Sequence, residues 1–158
     1  MKQYTKFNNI SGWAVFAIAA WVFLSTIEMT GSFWDCGEFI AAAYKLQIGH
    51  PPGAPLFLML SRIMTLFAGG NEASIPIMVN AFSAIMSAFA VLFTFWTITA
   101  IARKVVFTKN QEPTFSQILT VIASGVVGAL AFTFTDSFWF SAVEGEVYAT
   151  SQFFTCIV

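Results

Sequence analysis

The feature that most constrains this chain is a run of about 27 nearly unbroken apolar residues from Ile75 to Ile101. As a helix, such a run is long enough to cross the roughly 30 Å hydrocarbon core of a bilayer. Two further apolar runs, at about 10–27 and about 115–135, are also long enough to cross. Hydrophobic residues make up 58% of the sequence and charged residues only 9%, which excludes an ordinary soluble domain. The chain is therefore predicted to be an all-α, polytopic transmembrane protein.

The apolar segment from Pro55 to Ala68 is too short to cross, because about 14 residues of helix reach only about 21 Å. It also carries Arg62 in its middle. A short helix with a charge is better placed along the membrane interface, or re-entering, than across the bilayer. Residues 28–74 are accordingly predicted to form one large outer loop that contains two juxtamembrane amphipathic helices.

The basic residues predict the orientation of the chain. Five of the seven either precede the first apolar run or follow the run 75–101: Lys2, Lys6, Arg103, Lys104 and Lys109. The two groups share one side only if the segment 55–68 does not cross, and the positive-inside rule places that side in the cytoplasm. The predicted spans are about 10–27, 75–101, 115–135 and 147–158 onward, with 136–146 as a second, shorter outer loop. We expect residues 1–158 to be a single membrane domain and the N-terminal part of a longer module.

Charge and cysteine content exclude several other classes of protein. The formal net charge is −1 and there is no basic stripe, so no nucleic-acid partner is expected. The two cysteines, Cys36 and Cys156, are far apart and lack metal-ligand spacing, which indicates neither a zinc site nor a disulfide framework. Inside the second span, Asn80 and Ser83 are interpreted as interhelical hydrogen-bonding residues.

Ionisable residues are concentrated in the first outer loop, between two apolar segments. Read as a helix over 33–47, this stretch has two faces: Asp35, Glu38, Ala42 and Lys45 on one, and Cys36, Phe39, Ile40, Ala43 and Leu46 on the other. The pattern predicts an amphipathic helix at the membrane surface, with its carboxylates in water. A structural interpretation remains open, since Ser32-x-x-Asp35 resembles a capping box and Glu38 fits a solvated face.

The segment Gly49-His50-Pro51-Pro52-Gly53 ends this helix, because proline cannot continue it. It could be a plain rigid turn. Alternatively His50, the only histidine, could meet a phosphate on the same outer face as Asp35. Arg62 could do so through its bidentate fork, or could simply extend its charge to the interface.

The second outer loop adds Glu144, Glu146 and Tyr148. Glu144 alone fits a solvated loop residue, and Glu146 is either functional or favoured by its place at a helix N-terminus. A carboxylate can take a proton from an acceptor hydroxyl, and a nearby cation can stabilise a departing phosphate. The two loops together therefore predict glycosyl transfer from a lipid-phosphate donor.

Four motifs occur in order along most of the chain. They are Phe33-Trp34-Asp35-x-Gly37-Glu38-Phe39-Ile40, Gly49-His50-Pro51-Pro52-Gly53-x-Pro55-Leu56, Val79-Asn80-x-x-Ser83-Ala84 and Ala142-Val143-x-x-Glu146-Val147-Tyr148-Ala149. Together they resemble a bacterial membrane-protein family that is similar to eukaryotic protein O-mannosyltransferases and belongs to the GT-C superfamily of polytopic glycosyltransferases. The resemblance implies a GT-C-like membrane fold. Ala54 stands where a larger residue is expected, which leaves the local substrate wall open.

The resemblance also implies roles for individual residues. Asp35 would be the catalytic carboxylate, supported by Glu38. His50 and Arg62 would contact the carrier phosphate. The acceptor or a metal ion would be contacted by the acidic residue of the second outer loop, Glu146, with Glu144 and Tyr148 beside it. A divalent metal is left open as a cofactor.

The predicted function is membrane glycosyl transfer, with mannose as the expected sugar. The donor would be a polyprenyl-phosphate sugar in the membrane lipid, and the acceptor a protein Ser/Thr hydroxyl on the periplasmic side of a bacterial inner membrane. On its own this chain is expected to be inactive. The alternative is a non-catalytic membrane component, either half of a transporter or a scaffold of a secretion or motility assembly. A transporter would place ionisable residues deep inside its spans, and the predicted spans have almost none.

Overall fold

A computed structural model describes residues 1–108 and 111–158 of the chain. The helices are α1 (Lys2–Ser25), α2 (Cys36–Lys45), α3 (Pro55–Thr65), α4 (Ile75–Val106), α5 (Phe115–Thr133), α6 (Asp136–Val143) and α7 (Val147–Ile157). Two short 3₁₀ turns cover Leu66–Ala68 and Glu72–Ser74. No strand occurs within the described ranges, which confirms the all-α prediction. Lys109, part of the predicted cytoplasmic cluster, lies outside the described residues.

Among the residues that the structure describes, three helical stretches are long and apolar enough to cross a membrane: Lys2–Ser25, Glu72–Val106 and Phe115–Thr133. This confirms a polytopic helical membrane protein. The helix α1 begins at Lys2, well before the apolar run near residue 10, because the polar residues that precede the run continue the same helix. The stretch Pro55–Ala68 is apolar but shorter than the other three, as its length in the sequence indicates.

The helix α4 is the centre of the bundle, and α1, α5, α6 and α7 pack around it. Phe23 of α1 and Phe95 of α4 are fully buried in the main apolar cluster. Gly125 of α5 lets α4 and α5 approach closely, since a Cβ at this position would lie only 2.5 Å from Cγ2 of Thr99 in α4. A second cluster joins α2 and α3 to the first turns of α4 through residues such as Phe39, Phe57 and Val79.

The two ends of the bundle differ in charge. The ring of Tyr4 lies 5.1 Å from that of Phe107, which brings the start of α1 to the end of α4. The basic residues of these two helix ends therefore share one end of the bundle: Lys2, Lys6, Arg103 and Lys104. At the other end, the backbone N–H of Glu28 donates to the carbonyl of Val143 at 3.0 Å. This hydrogen bond ties the first outer loop to the second.

The second outer loop contains a helix that the sequence analysis did not predict. Residues 136–146 were predicted only as a second, shorter outer loop, and α6 occupies Asp136–Val143 within it. Its Phe138 and Ala142 are four residues apart and both buried, so one helical face packs on the core. The irregular part of the loop is limited to the residues between α6 and α7.

Candidate active site

Asp35 lies at the N-cap position of α2, but its side chain makes no capping hydrogen bond. Its backbone carbonyl accepts from the N–H of Phe39 at 2.9 Å. Ser32 does not complete a capping box, because its hydroxyl is directed at the carbonyl of Phe33. The capping interpretation of Asp35 is therefore wrong. Its carboxylate is 53% exposed and not used by the helix terminus.

Glu38, in the first turn of α2, binds the loop that follows the helix. Its Oε1 accepts a 2.7 Å hydrogen bond from the backbone N–H of His50, and its Oε2 lies 3.1 Å from Nδ1 of the same residue. Gly49 lies against the same carboxylate, since a Cβ there would be 3.3 Å from Oε1. The turn closes on itself, because the N–H of Gly53 donates to the His50 carbonyl at 2.8 Å. Glu38 is thus bound to this turn and is not a freely solvated carboxylate.

His50 lies between two carboxylates. While Nδ1 faces Glu38, Nε2 lies 3.7 Å from Oδ2 of Asp35. The hydrogen bond that the His50 ring donates to Glu38, then the negative charges of Glu38 and Asp35, raise the pKa of His50 above its ordinary value. In return, the backbone and side-chain hydrogen bonds from His50 lower the pKa of Glu38. The arrangement favours an imidazolium held by carboxylates.

Glu146 reaches the same place from the second outer loop. It is the N-cap residue of α7, and its side chain makes no capping hydrogen bond. Partial burial raises the pKa of Glu146 to about 7, and the negative charges of Asp35 and Glu144 add to this effect. Glu146 therefore exists as a mixture of acid and carboxylate near neutral pH, unlike an ordinary surface glutamate.

A cavity of about 240 Å³ joins these groups. Its polar lining comes from Asp35 and His50 of the first outer loop, and from Glu146 and Tyr148 of the second. The remaining lining residues are Phe39, Pro52, Gly53, Ala54 and Val147. The small side chain of Ala54 thus forms part of the wall, where a larger residue would narrow the cavity. Two segments that are about 100 residues apart in sequence meet here.

Three of the predicted site residues, Glu38, Arg62 and Glu144, do not line this cavity. Glu38 reaches the site through its contacts with His50. Arg62 lies over the ring of Tyr44 at 5.3 Å, and its Nη1 donates to Oγ1 of Thr65 at 3.2 Å. It lines a separate cavity of about 210 Å³. Glu144 is outside the lining as well, and it affects the site through its charge on Glu146.

The structure adds one polar residue to the surroundings of the site, Asn80. It was interpreted as an interhelical hydrogen-bonding residue, but its side chain binds the backbone of the first outer loop, at Glu28 and Thr30. A lone asparagine in an apolar span indicates that its side chain has a hydrogen-bond partner. The sequence does not show that this partner is the backbone of a loop.

Asp35, Glu38 and His50 can each offer one ligand atom, and these three atoms lie within 4.8 Å of one another. Two carboxylates and one imidazole form a donor set that suits a divalent cation. A metal would require the neutral imidazole, whereas the carboxylates beside His50 favour its protonated form. The donor types fit a divalent metal, and metal binding would compete with a proton on His50.

Comparison with known proteins identifies the family. A family model described as "Protein O-mannosyl-transferase TMEM260 N-terminal domain" matches residues 35–158, a range that includes every residue of the cavity lining. The chain belongs to this family. The resemblance to protein O-mannosyltransferases is thereby confirmed for the N-terminal portion of such proteins.

This chain covers only a small part of the length of two relatives in the TMEM260 family. The mouse "Protein O-mannosyl-transferase TMEM260" is 30% identical over 142 residues, which are 89% of this chain and 17% of the mouse protein. The Dictyostelium discoideum "Protein O-mannosyl-transferase tmem260" is 25% identical over 124 residues, which are 78% of this chain and 13% of that protein. The chain thus spans less than a fifth of the length of these relatives. No solved structure matches it.

Proposed function

We propose that this chain carries part of the active site of a membrane glycosyltransferase that transfers mannose to protein Ser/Thr hydroxyls. The observation that carries the proposal is the convergence of Asp35, His50 and Glu146, from two separate outer loops, on one cavity. The printed names of the mouse and Dictyostelium relatives, both protein O-mannosyl-transferases, support the reaction class. Membership of the GT-C superfamily belongs to the same proposal.

Asp35 acts as the general base. Its carboxylate takes the proton from the acceptor hydroxyl while the hydroxyl oxygen attacks the anomeric carbon of the sugar. The bond between that carbon and the carrier phosphate breaks, and the phosphate leaves with the electron pair. A single displacement of this kind inverts the configuration at the sugar carbon. Asp35 is suited to this role because its side chain is exposed and free of capping hydrogen bonds.

His50 binds the departing phosphate. Its imidazolium is held by Glu38 and faces the cavity beside Asp35, so a positive charge lies near the base. A fixed cation stabilises negative charge that develops on a leaving phosphate more than it stabilises the ground state. Glu38 acts through His50 and not on the substrate.

Glu146 and Tyr148 bind the acceptor or the sugar. With a pKa of about 7, Glu146 can donate a hydrogen bond to a hydroxyl group when protonated and accept one from it when ionised, and both forms exist at neutral pH. Tyr148 adds a phenol on the same wall. Arg62, in its separate cavity, is retained only as a more distant phosphate contact.

The donor is a polyprenyl-phosphate sugar. A cavity of about 340 Å³ with mainly apolar lining adjoins the candidate active site and shares Pro52, Gly53 and Ala54 with it. Nearby, Trp34 and Ile48 are almost fully exposed, as suits residues that enter a lipid interface. An amphiphile could therefore place its phosphate at His50 and its chain along the apolar cavity. By the positive-inside rule this end faces away from the cytoplasm, which in the proposed bacterial inner membrane is the periplasmic side.

Deletion of the gene in its host tests the proposal. Wild type, Asp35→Asn and the control Asp136→Asn, which changes an exposed carboxylate outside the cavity, are returned at matched membrane levels. Glycopeptides of exported proteins are then compared by mass spectrometry. We expect a hexose to disappear on deletion and to return with wild type and Asp136→Asn but not with Asp35→Asn. Unchanged glycopeptides, or full restoration by Asp35→Asn, would favour a non-catalytic membrane component.

A further inference from the structure

Asn80, near the start of α4, is a fully buried polar residue that binds both ends of the segment leading to Asp35. Its Nδ2 donates to the carbonyl of Glu28 at 2.7 Å and to that of Thr30 at 3.0 Å. Its Oδ1 lies 3.8 Å from Sγ of Cys36, the residue directly after Asp35. A buried amide that satisfies three contacts in this way fixes the loop backbone, because each lost partner would leave a polar group unpaired in an apolar surrounding.

The second outer loop packs against the same side chain. A Cβ at Gly145 would lie 2.9 Å from Oδ1 of Asn80 and 3.0 Å from Cγ1 of Val79, so glycine is required for the loop to approach this closely. Gly145 directly precedes Glu146. The 3.0 Å backbone hydrogen bond between Glu28 and Val143 joins the two loops beside this contact.

We propose that Asn80 is a positioning residue that sets where Asp35 stands relative to Glu146. It does not line the cavity, and it acts through Cys36 on one side and Gly145 on the other. The inference rests on the proposed function, because the placement matters for catalysis only if both carboxylates work on one substrate. A displacement of about 1 Å in such a site can cost about 100-fold in rate.

Substitution in the complete gene product tests the inference. Asn80→Leu keeps the branching at Cγ and removes all three polar contacts. Gly145→Ala disturbs the contact between the second outer loop and Asn80 from the other side. Ser87→Ala is the matched control, since Ser87 is equally buried in α4 and has no hydrogen-bond partner among the described residues. All variants carry Cys156→Ala, so that among the cysteines of this chain only Cys36 remains.

Two readouts separate positioning from a purely structural role. The first is the kcat and KM of hexose transfer per folded molecule, with folding checked by thermal unfolding. We expect Asn80→Leu and Gly145→Ala to lower kcat about 10–100-fold with little change in the KM for the donor, whose proposed chain cavity does not include Asn80. Folded Asn80→Leu and Gly145→Ala with wild-type kcat would overturn the inference.

The second readout is the rate at which a maleimide alkylates Cys36, which is fully buried beneath Asn80. Faster alkylation of Cys36 in Asn80→Leu, but not in Ser87→Ala, supports the inference that Asn80 fixes the first outer loop. Equal alkylation rates in the two variants overturn it. This readout needs no activity. If wild type transfers no hexose, the proposed function fails, while the alkylation rates still decide whether Asn80 fixes the loop. Should Asn80→Leu fail to fold, the kcat of Gly145→Ala decides alone.

Discussion

At the scale of single residues, the Glu38 carboxylate decides the charge of His50. It accepts from the backbone N–H of His50 and contacts its ring, and these contacts favour the imidazolium. The His50 ring can attract a phosphate by its charge only while it is protonated. The raised pKa of His50 would therefore extend the proposed phosphate binding to higher pH than an ordinary histidine allows.

Glu38→Gln is expected to narrow the pH range of activity. The amide can still accept from the His50 backbone, but it carries no charge to favour the imidazolium, so the pKa of His50 falls toward its ordinary value. The alkaline limb of kcat/KM should move to lower pH, with the acid limb little changed. A pH–rate profile of hexose transfer measures this, with Glu72→Gln as an exposed control. An alkaline limb that stays in place would contradict the role given to Glu38.

Glu146→Gln is expected to change how stability depends on pH. The folded state raises the pKa of Glu146 from 4.5 to about 7, so it binds this proton more tightly than the unfolded chain. The contribution to stability is therefore fully present below pH 4.5 and lost as the pH rises through about 7. The variant lacks this loss, so its thermal stability relative to wild type should increase across that window and then level off. A difference that is constant with pH would contradict the raised pKa.

The sequence indicated which residues are candidates for the site, but not how they are arranged. Asp35, His50 and Glu146 stand out because ionisable groups are rare in so apolar a chain. The convergence of His50 with Glu146 could not be predicted, because it depends on Gly145 packing against Asn80. Arg62 was grouped with His50 for its charge, its bidentate fork and the family resemblance, whereas its contact with the Tyr44 ring depends on how α2 and α3 pack.

At the scale of helices, apolar length predicted the three helices that are long enough to cross a membrane and the short helix α3. Periodicity predicted α2 only in part. Cys36, Phe39 and Ala43 are buried as expected. Ala42 was placed on the exposed face with Glu38 and is instead 3% exposed, because α3 and α4 cover a wider part of α2 than one apolar stripe. Leu46 was placed on the buried face, but the helix ends before it and it is exposed.

The contact between α4 and α5 can be tested with two glycines of α5. Gly125→Ala places a Cβ 2.5 Å from Cγ2 of Thr99 and 2.9 Å from the ring of Phe95, both tightly packed. It should lower the free energy of unfolding by about 1–3 kcal/mol. Gly128→Ala meets Cδ1 of Ile98, the end of a flexible side chain that can rotate away, and should cost less. Thermal unfolding in detergent measures both, and equal effects would contradict this packing.

At the scale of the whole molecule, charge separates the two ends of the bundle. Basic residues at the start of α1 and the end of α4 share one end. The cavity with Asp35 and Glu146 lies in the outer loops at the other end. This polarity follows from the charge pattern of the sequence and predicts the orientation in the membrane.

Thiol labelling in intact cells tests this orientation. Single cysteines are introduced as Glu72→Cys and Thr108→Cys in a Cys156→Ala background, where Cys36 is buried. A membrane-impermeant maleimide should label residue 72 in intact cells and residue 108 only after the membrane is opened. The reverse pattern would place the cavity in the cytoplasm, where the proposed donor and acceptor would not be met.

The most direct test of the proposed catalysis is transfer by the purified complete gene product in liposomes. Mannosyl-phosphoryl polyprenol is the donor, a Ser/Thr-containing protein is the acceptor, and kcat is measured for wild type, Asp35→Asn and Asp136→Asn. We expect wild type and Asp136→Asn to transfer mannose equally, and Asp35→Asn to lose about 100-fold or more in kcat, as removal of a general base requires. An Asp35→Asn enzyme with wild-type kcat would show that the carboxylate of Asp35 is not the base.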